Sequence, residues 1–84
     1  MKTTDIQPGN LVIDYTKDGN VETRILSRVL STDKDIVYIE DLYLISGNVD
    51  FMESSSSIHL KDIIAVLDCL TVEEAKIKYP EYFI

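Results

Sequence analysis

Apolar and polar residues alternate along most of this chain, with breaks every eight to twelve positions. That is the pattern of short, half-buried β-strands separated by turns. Pro8-Gly9-Asn10 marks a turn before Leu11-Val12-Ile13-Asp14-Tyr15-Thr16, where Leu11, Ile13 and Tyr15 share one face. Lys17-Asp18-Gly19-Asn20 is a hairpin signal. A two-residue Asp18-Gly19 loop would set Ile13 against Arg24 and Tyr15 against Glu22. A three-residue Asp18-Gly19-Asn20 loop opposes Ile13 to Ile25 and Asp14 to Arg24. The three-residue Lys17-Asp18-Gly19 loop keeps the same faces but opposes Asp14 to Glu22. Like-with-like pairing of apolar residues across strands favours the odd loop, with a bulge.

Val21, Ile25, Leu26, Val29 and Leu30 also fit a helical stripe, which Asn20 would cap. The β-branched residues Val21, Thr23, Ile25 and Val29 at alternate positions after a turn argue for a strand. Ser31 to Asp35 reads as a polar turn. Ile36 to Ile45 (IVYIEDLYLI) reads as a long strand whose Glu40-Asp41 predicts a bulge, bend or solvent-facing stretch. Ser46-Gly47-Asn48 leads into a further strand at Val49 to Glu53. Ser54-Ser55-Ser56-Ser57 has the composition of a flexible loop. Ile58 to Leu67 forms the last strand region, with Ile58 and Leu60 inward and His59 and Lys61 outward. Thr71-Val72-Glu73-Glu74 is a capping box opening a helix over 72–79, which Pro80 stops. So short a helix is stable only when docked on the sheet, together with Tyr82-Phe83-Ile84.

Length and composition sharpen this picture. The 84 residues, 45% hydrophobic, make one domain over 1–84. The expected fold is mainly β: a small antiparallel SH3-like barrel or curled sheet of about five strands plus the C-terminal helix. The single cysteine, Cys69, leaves no internal disulfide and reads as a buried small hydrophobe, in keeping with a cytoplasmic setting. The first ten residues contain no apolar signal-peptide core, and the longest apolar run is far too short to cross a bilayer.

Fifteen acids against eight bases give a net charge of −7. That sign opposes nucleic-acid phosphates and anionic membranes, so neither generic nucleic acid nor membrane is an expected partner. A protein with a basic surface is.

Candidate chemistry changes little. Asp14, Thr16, Asp18 and Gly19 imitate the start of a calcium loop, but Ile25 occupies the position that must supply a bidentate carboxylate. His59 has no second ligand at metal spacing and no nucleophile partner in the sequence. The serine run lacks a nucleophile elbow, and the three glycines each belong to a turn. No cofactor, metal site or catalytic residue is expected, and the chain does not read as an enzyme. The candidate partner-binding residues are Asp33, Asp35, Glu40, Asp41 and Tyr43. The four acids fall within nine consecutive residues. A strand would spread them over roughly 20 Å, with Tyr43 as an aromatic anchor.

Gly9-Asn10-Leu11-Val12 near the start, Ile58, Leu60 and Ile63, then Leu70, Thr71, Glu73 and Glu74, and finally Tyr82-Phe83 form an ordered set. In these residues the chain resembles small SH3-like proteins of phages and prophages. The resemblance covers both ends of the chain, not the middle, and the tryptophan that often follows the paired glutamates there is missing here. It implies a barrel-like fold and a phage setting, and no activity. Charge and resemblance together suggest an acidic interaction domain, such as an inhibitor that occupies the basic groove of a host nucleic-acid enzyme. The alternatives are a phage accessory protein acting as a homo-oligomer and an SH3-like nucleic-acid-binding module.

Overall fold

The computed structural model describes residues 6–47 and 55–83. It is mainly β. Five antiparallel strands form one sheet, β1 Leu11–Asp18, β2 Val21–Asp33, β3 Ile36–Ser46, β4 Ser55–His59 and β5 Ile63–Leu67, followed by a helix α1 Val72–Lys78. The spatial order is β4-β3-β2-β1-β5. β4 and β5 lie at opposite edges, yet only the 3₁₀ turn Leu60–Asp62 connects them. Edge strands of a flat five-stranded sheet stand roughly 19 Å apart, at about 4.8 Å per neighbour. The four links from His59 to Ile63 reach at most about 14 Å. The sheet must therefore curl until its edges approach, as in a small barrel, while among the described residues no ladder joins β4 to β5.

Curling gives the sheet two buried faces. Inside the curl lie Ile6, Val12, Val29, Val37, Ile39 and Ile63, with Ile58, Leu60 and Val66 against them. On the outer side of β1 and β2, Leu11, Ile13, Leu26 and Leu67 pack with Cys69 and Ala75, under Val72, Tyr79, Tyr82 and Phe83 of the C-terminal segment. Cys69 is buried there, which raises its thiol pKa, chiefly through burial and then through the nearby Glu74 carboxylate.

The residues 21–30 are strand, as their β-branched spacing predicts. The first hairpin differs from expectation. Asp18 pairs with Val21, so the loop is the even, two-residue Gly19-Asn20 and not an odd one. Gly19 takes φ 64, the left-handed conformation a tight hairpin needs at its first central position. The register places Ile13 opposite Leu26, Asp14 opposite Ile25 and Tyr15 opposite Arg24. Matching Ile13 to Ile25 assumed a sheet buried on one face. With both faces buried, the register instead puts Ile13 and Leu26 together beneath the helix and points Asp14 and Ser27 into the curl.

Two further expectations change. Ser55–Ser57 are not a loop but most of β4, paired with Glu40, Ile39 and Tyr38 of β3. Serine is a poor strand former, and its pairing is imposed by the neighbour strand and by Ile58, which anchors β4 against the interior cluster. The polar turn after β2 is also shorter than its composition suggests. Strand pairing runs to Asp33–Ile36, leaving only Lys34 and Asp35 at the tip, with Lys34 at φ 57. The strand expected at Val49 to Glu53 lies outside the described residues, as does Ser54.

The helix begins at the Thr71 cap as expected, but the return bond from Glu74 reaches the amide before the cap rather than that of Thr71 itself. The Thr71 hydroxyl accepts the Glu74 N–H at 3.1 Å, and Glu74 Oε1 accepts the Leu70 N–H at 3.3 Å. The helix ends at Lys78, one residue inside the expected end, with Tyr79 as its C-cap, and Pro80–Phe83 continue as a 3₁₀ turn. The segment is tied down at several points. Asp68 N–H donates to the Tyr79 hydroxyl at 3.2 Å, Lys78 Nζ donates to the Asp68 carbonyl at 3.0 Å, and Arg28 Nη2 donates to the Leu70 carbonyl at 3.2 Å.

Candidate functional site

The five residues singled out from the sequence do not form one track. Asp33 and Asp35 flank the exposed tip of the β2–β3 hairpin. Glu40 and Asp41, adjacent in β3, point to opposite faces, as strand geometry requires. Glu40 lies on the outer face, 3.9 Å from Arg28. Asp41 turns into the curl, where its Oδ1 accepts a hydrogen bond from the Ser27 hydroxyl at 3.1 Å. Tyr43 is 37% exposed but occupied: its ring stands 5.9 Å from that of Phe83, and Lys76 Nζ sits 4.2 Å above it.

A bulge explains the split. Across from β3, Leu26 faces Tyr43 and Ser27 faces Asp41, so Leu42 is an extra residue in β3. The extra residue puts Tyr43 on the helix-covered face beside Leu42, where alternation alone would have left it on the face of Asp41. Asp41 keeps the opposite side. The acids in mid-strand that signalled a bulge sit directly beside it.

A different set of residues comes together at the distal end of the same hairpin. Leu30 is an extra residue between Val29 and Ser31, which face Ile39 and Tyr38. With Tyr38 and Ser55, Ser56 and Ser57 of β4 it lines an open, mostly apolar groove of about 340 Å³. Leu30 and Tyr38 are 43% and 42% exposed, and Ile36 beside the turn is also exposed. This is the side of the hairpin that the C-terminal segment does not cover, since that segment packs on Leu11, Ile13 and Leu26. Asp33 and Asp35 rim the end of the groove-bearing hairpin. Asp35 also borders a second hollow with His59, Leu60, Lys61 and Ile63. The His59 ring accepts the Lys61 N–H at 3.2 Å through Nδ1, so it caps the 3₁₀ turn.

Leu30 and Tyr38 were within reach of sequence reasoning only as exposed apolar positions, because their meeting with β4 depends on the bulge and on the pairing of the serines. Four of the eight bases are engaged among the described residues. Arg28 holds Glu40 and the Leu70 carbonyl, Arg24 lies 5.7 Å from the Tyr15 ring centre, Lys76 covers Tyr43, and Lys78 is 3.5 Å from Glu74. Asp33 and Asp35 make no ion pair among the described residues.

Among the described residues no group of three or more His, Cys, Asp or Glu is placed to hold a metal ion. No described helix is long and apolar enough to cross a membrane. The molecule thus presents a curled five-stranded sheet with an open apolar groove on the hairpin whose tip carries Asp33 and Asp35. Compared with known families, curated proteins and solved structures, the chain matches none of them.

Proposed function

We propose that this domain acts by binding another protein, through the distal β2–β3 hairpin and the adjoining β4. The observation that carries this reading is the groove of Leu30 and Tyr38, apolar and open on the part of the hairpin that the C-terminal segment leaves bare. Exposed apolar patches rimmed by polar residues are a common mark of interaction sites. Tyrosine is enriched among the residues that dominate binding energy. The partner that fits is a protein segment with an apolar side chain for the groove and Lys or Arg for Asp33 and Asp35. The net charge of −7 favours its approach. A basic groove of a nucleic-acid enzyme, occupied by a phage-borne inhibitor, is one such partner.

The test is retention of host proteins on immobilised wild type against three variants, with folding checked by circular dichroism. Tyr38→Ala should lose a specific partner through faster dissociation, because a buried anchor sets the off-rate. Asp33→Lys with Asp35→Lys should slow association and weaken its salt dependence. Tyr43→Ala should retain the partner, since that ring is engaged with Phe83 and Lys76. Retention unchanged by Tyr38→Ala would sink the proposal. Doubling of the mass in solution, abolished by Tyr38→Ala, would instead make a second copy of the chain the occupant.

A further inference from the structure

The least ordinary chemistry in the molecule lies away from that groove, inside the curl. Ser27 is fully buried in β2. Its Oγ stands 2.9 Å from Asp14 Oδ1 on β1 and 3.1 Å from Asp41 Oδ1 on β3. Both distances are hydrogen-bond lengths. A serine hydroxyl carries one proton and can donate only once. Two ionised carboxylates are acceptors only, so they cannot both bond this oxygen. One of the two carboxyls must therefore supply the second proton.

The surroundings agree. Asp14 is 5% exposed. The charges that act on it are Asp41 on β3 and Asp62 on the 3₁₀ turn, both acids. On β2, Arg24 and Arg28 lie on the opposite face, engaged with Tyr15 and Glu40. From β5 the residue opposite Asp14 is Ile63. On β4 the titratable group is His59, which pairs across from Ile36 at the far end of β3. Lys61 borders the hollow with Asp35 and His59. No described base is therefore placed to neutralise the pair.

We propose that the folded protein holds one proton between the Asp14 and Asp41 carboxyls, relayed through the Ser27 hydroxyl, and that losing it loosens the bulged seam between β2 and β3. Asp14, the deeper group, carries the proton and donates to Ser27 Oγ, and the Ser27 O–H donates to ionised Asp41. As pH rises, that proton passes to solvent and leaves two carboxylates facing one donor. The strain falls where Leu42 and Tyr43 leave the bulge for the C-terminal segment, so the device couples protonation inside the curl to the packing of α1. Burial pushes the Asp14 carboxyl up to about 6, against the lowering effect of the Ser27 hydrogen bond, and burial also raises Asp41.

The experiment is a carbon-13 titration of the aspartate carboxyls in the intact protein, with Asp14→Asn, Asp41→Asn and Ser27→Ala beside it. In the wild type, one step should lie about two pH units above the ordinary value near 4, at about 6. Asp14→Asn should abolish that step and let Asp41 titrate lower. Ser27→Ala should change both steps together. Amide exchange at 42–43, corrected for intrinsic rate, should accelerate above pH 6 in the wild type and not in Asp14→Asn. Two ordinary titrations near pH 4 would overturn the proposal. So would exchange at 42–43 that follows pH identically in the wild type and in Asp14→Asn. If Asp14→Asn fails to fold, Asp41→Asn carries the same comparison, because it too leaves a single carboxyl on the hydroxyl.

Discussion

At the scale of single residues, burial outweighs ordinary residue chemistry at Asp14. An aspartate normally gains stability from ionising in the folded state. Here the folded pKa lies near 6, above the ordinary 3.8, so the folded state binds the proton more tightly than the unfolded chain does. The contribution is therefore fully present below about pH 4 and is lost as pH rises toward about 6, with no further change above. A two-unit shift corresponds to about 3 kcal/mol. Chemical unfolding between pH 4 and 7 should show the wild type losing up to that amount, and Asp14→Asn should flatten the slope. An opposite slope, with stability rising through that window, would mean that other carboxylates dominate. His59 and Cys69 fill quieter roles: one caps a 3₁₀ turn and the other fills a cluster under the helix.

At the scale of elements, local chemistry decides how each piece begins and ends, and neighbours decide how it pairs. The capping box is a local device, and α1 starts where Thr71 predicts. Its seven residues are too few to persist alone. Ala75 and Val72 hold it on Leu11, Ile13 and Leu26, and Tyr43 meets Phe83 beyond it. Replacing Thr71 with Ala should cost about 1 kcal/mol, since the Glu74 amide loses its acceptor. Thermal unfolding reads this directly, and an unchanged midpoint would mean that the cap adds nothing to the docked helix. The β2–β3 hairpin shows the reverse dependence. Three extra residues interrupt its ladder, Ile45, Leu42 and Leu30; the first two join the cluster under the helix and the third lines the open groove. Alternation alone cannot place them, because a bulge shifts every later residue to the other face.

At the scale of the whole molecule, charge is unevenly used. Arg28, Lys78, Arg24 and Lys76 are drawn into contacts with Glu40, Glu74, Tyr15 and Tyr43, whereas the hairpin tip presents Asp33 and Asp35 without ion pairs among the described residues. Arg24 and Arg28 share a face of β2, yet neither is left to form a basic track with Lys34 at the tip. Phosphate binding depends on such tracks. The expected outcome with random duplex DNA near physiological salt is therefore no sub-micromolar binding by fluorescence anisotropy. Tight binding that weakens steeply with salt would contradict this.

The sequence by itself determined the mainly-β class, the turns at Gly19 and within 31–35 and the start of the helix, and it favoured strand over helix for 21–30. Each rests on side-chain periodicity, on turn residues or on a cap, and each acts over a few neighbouring positions. Tertiary structure alone decided the even hairpin loop, the strand made of serines, the opposite aims of Glu40 and Asp41, and the meeting of Asp14, Ser27 and Asp41. These depend on which face each strand buries once the sheet has curled. A curled sheet covered on one side by a helix has two interiors, and alternation along the chain does not say which of them a residue enters. That is why five residues chosen as one surface separate into a hairpin tip, an ion pair, a carboxyl bonded to a buried serine and an aromatic clamp.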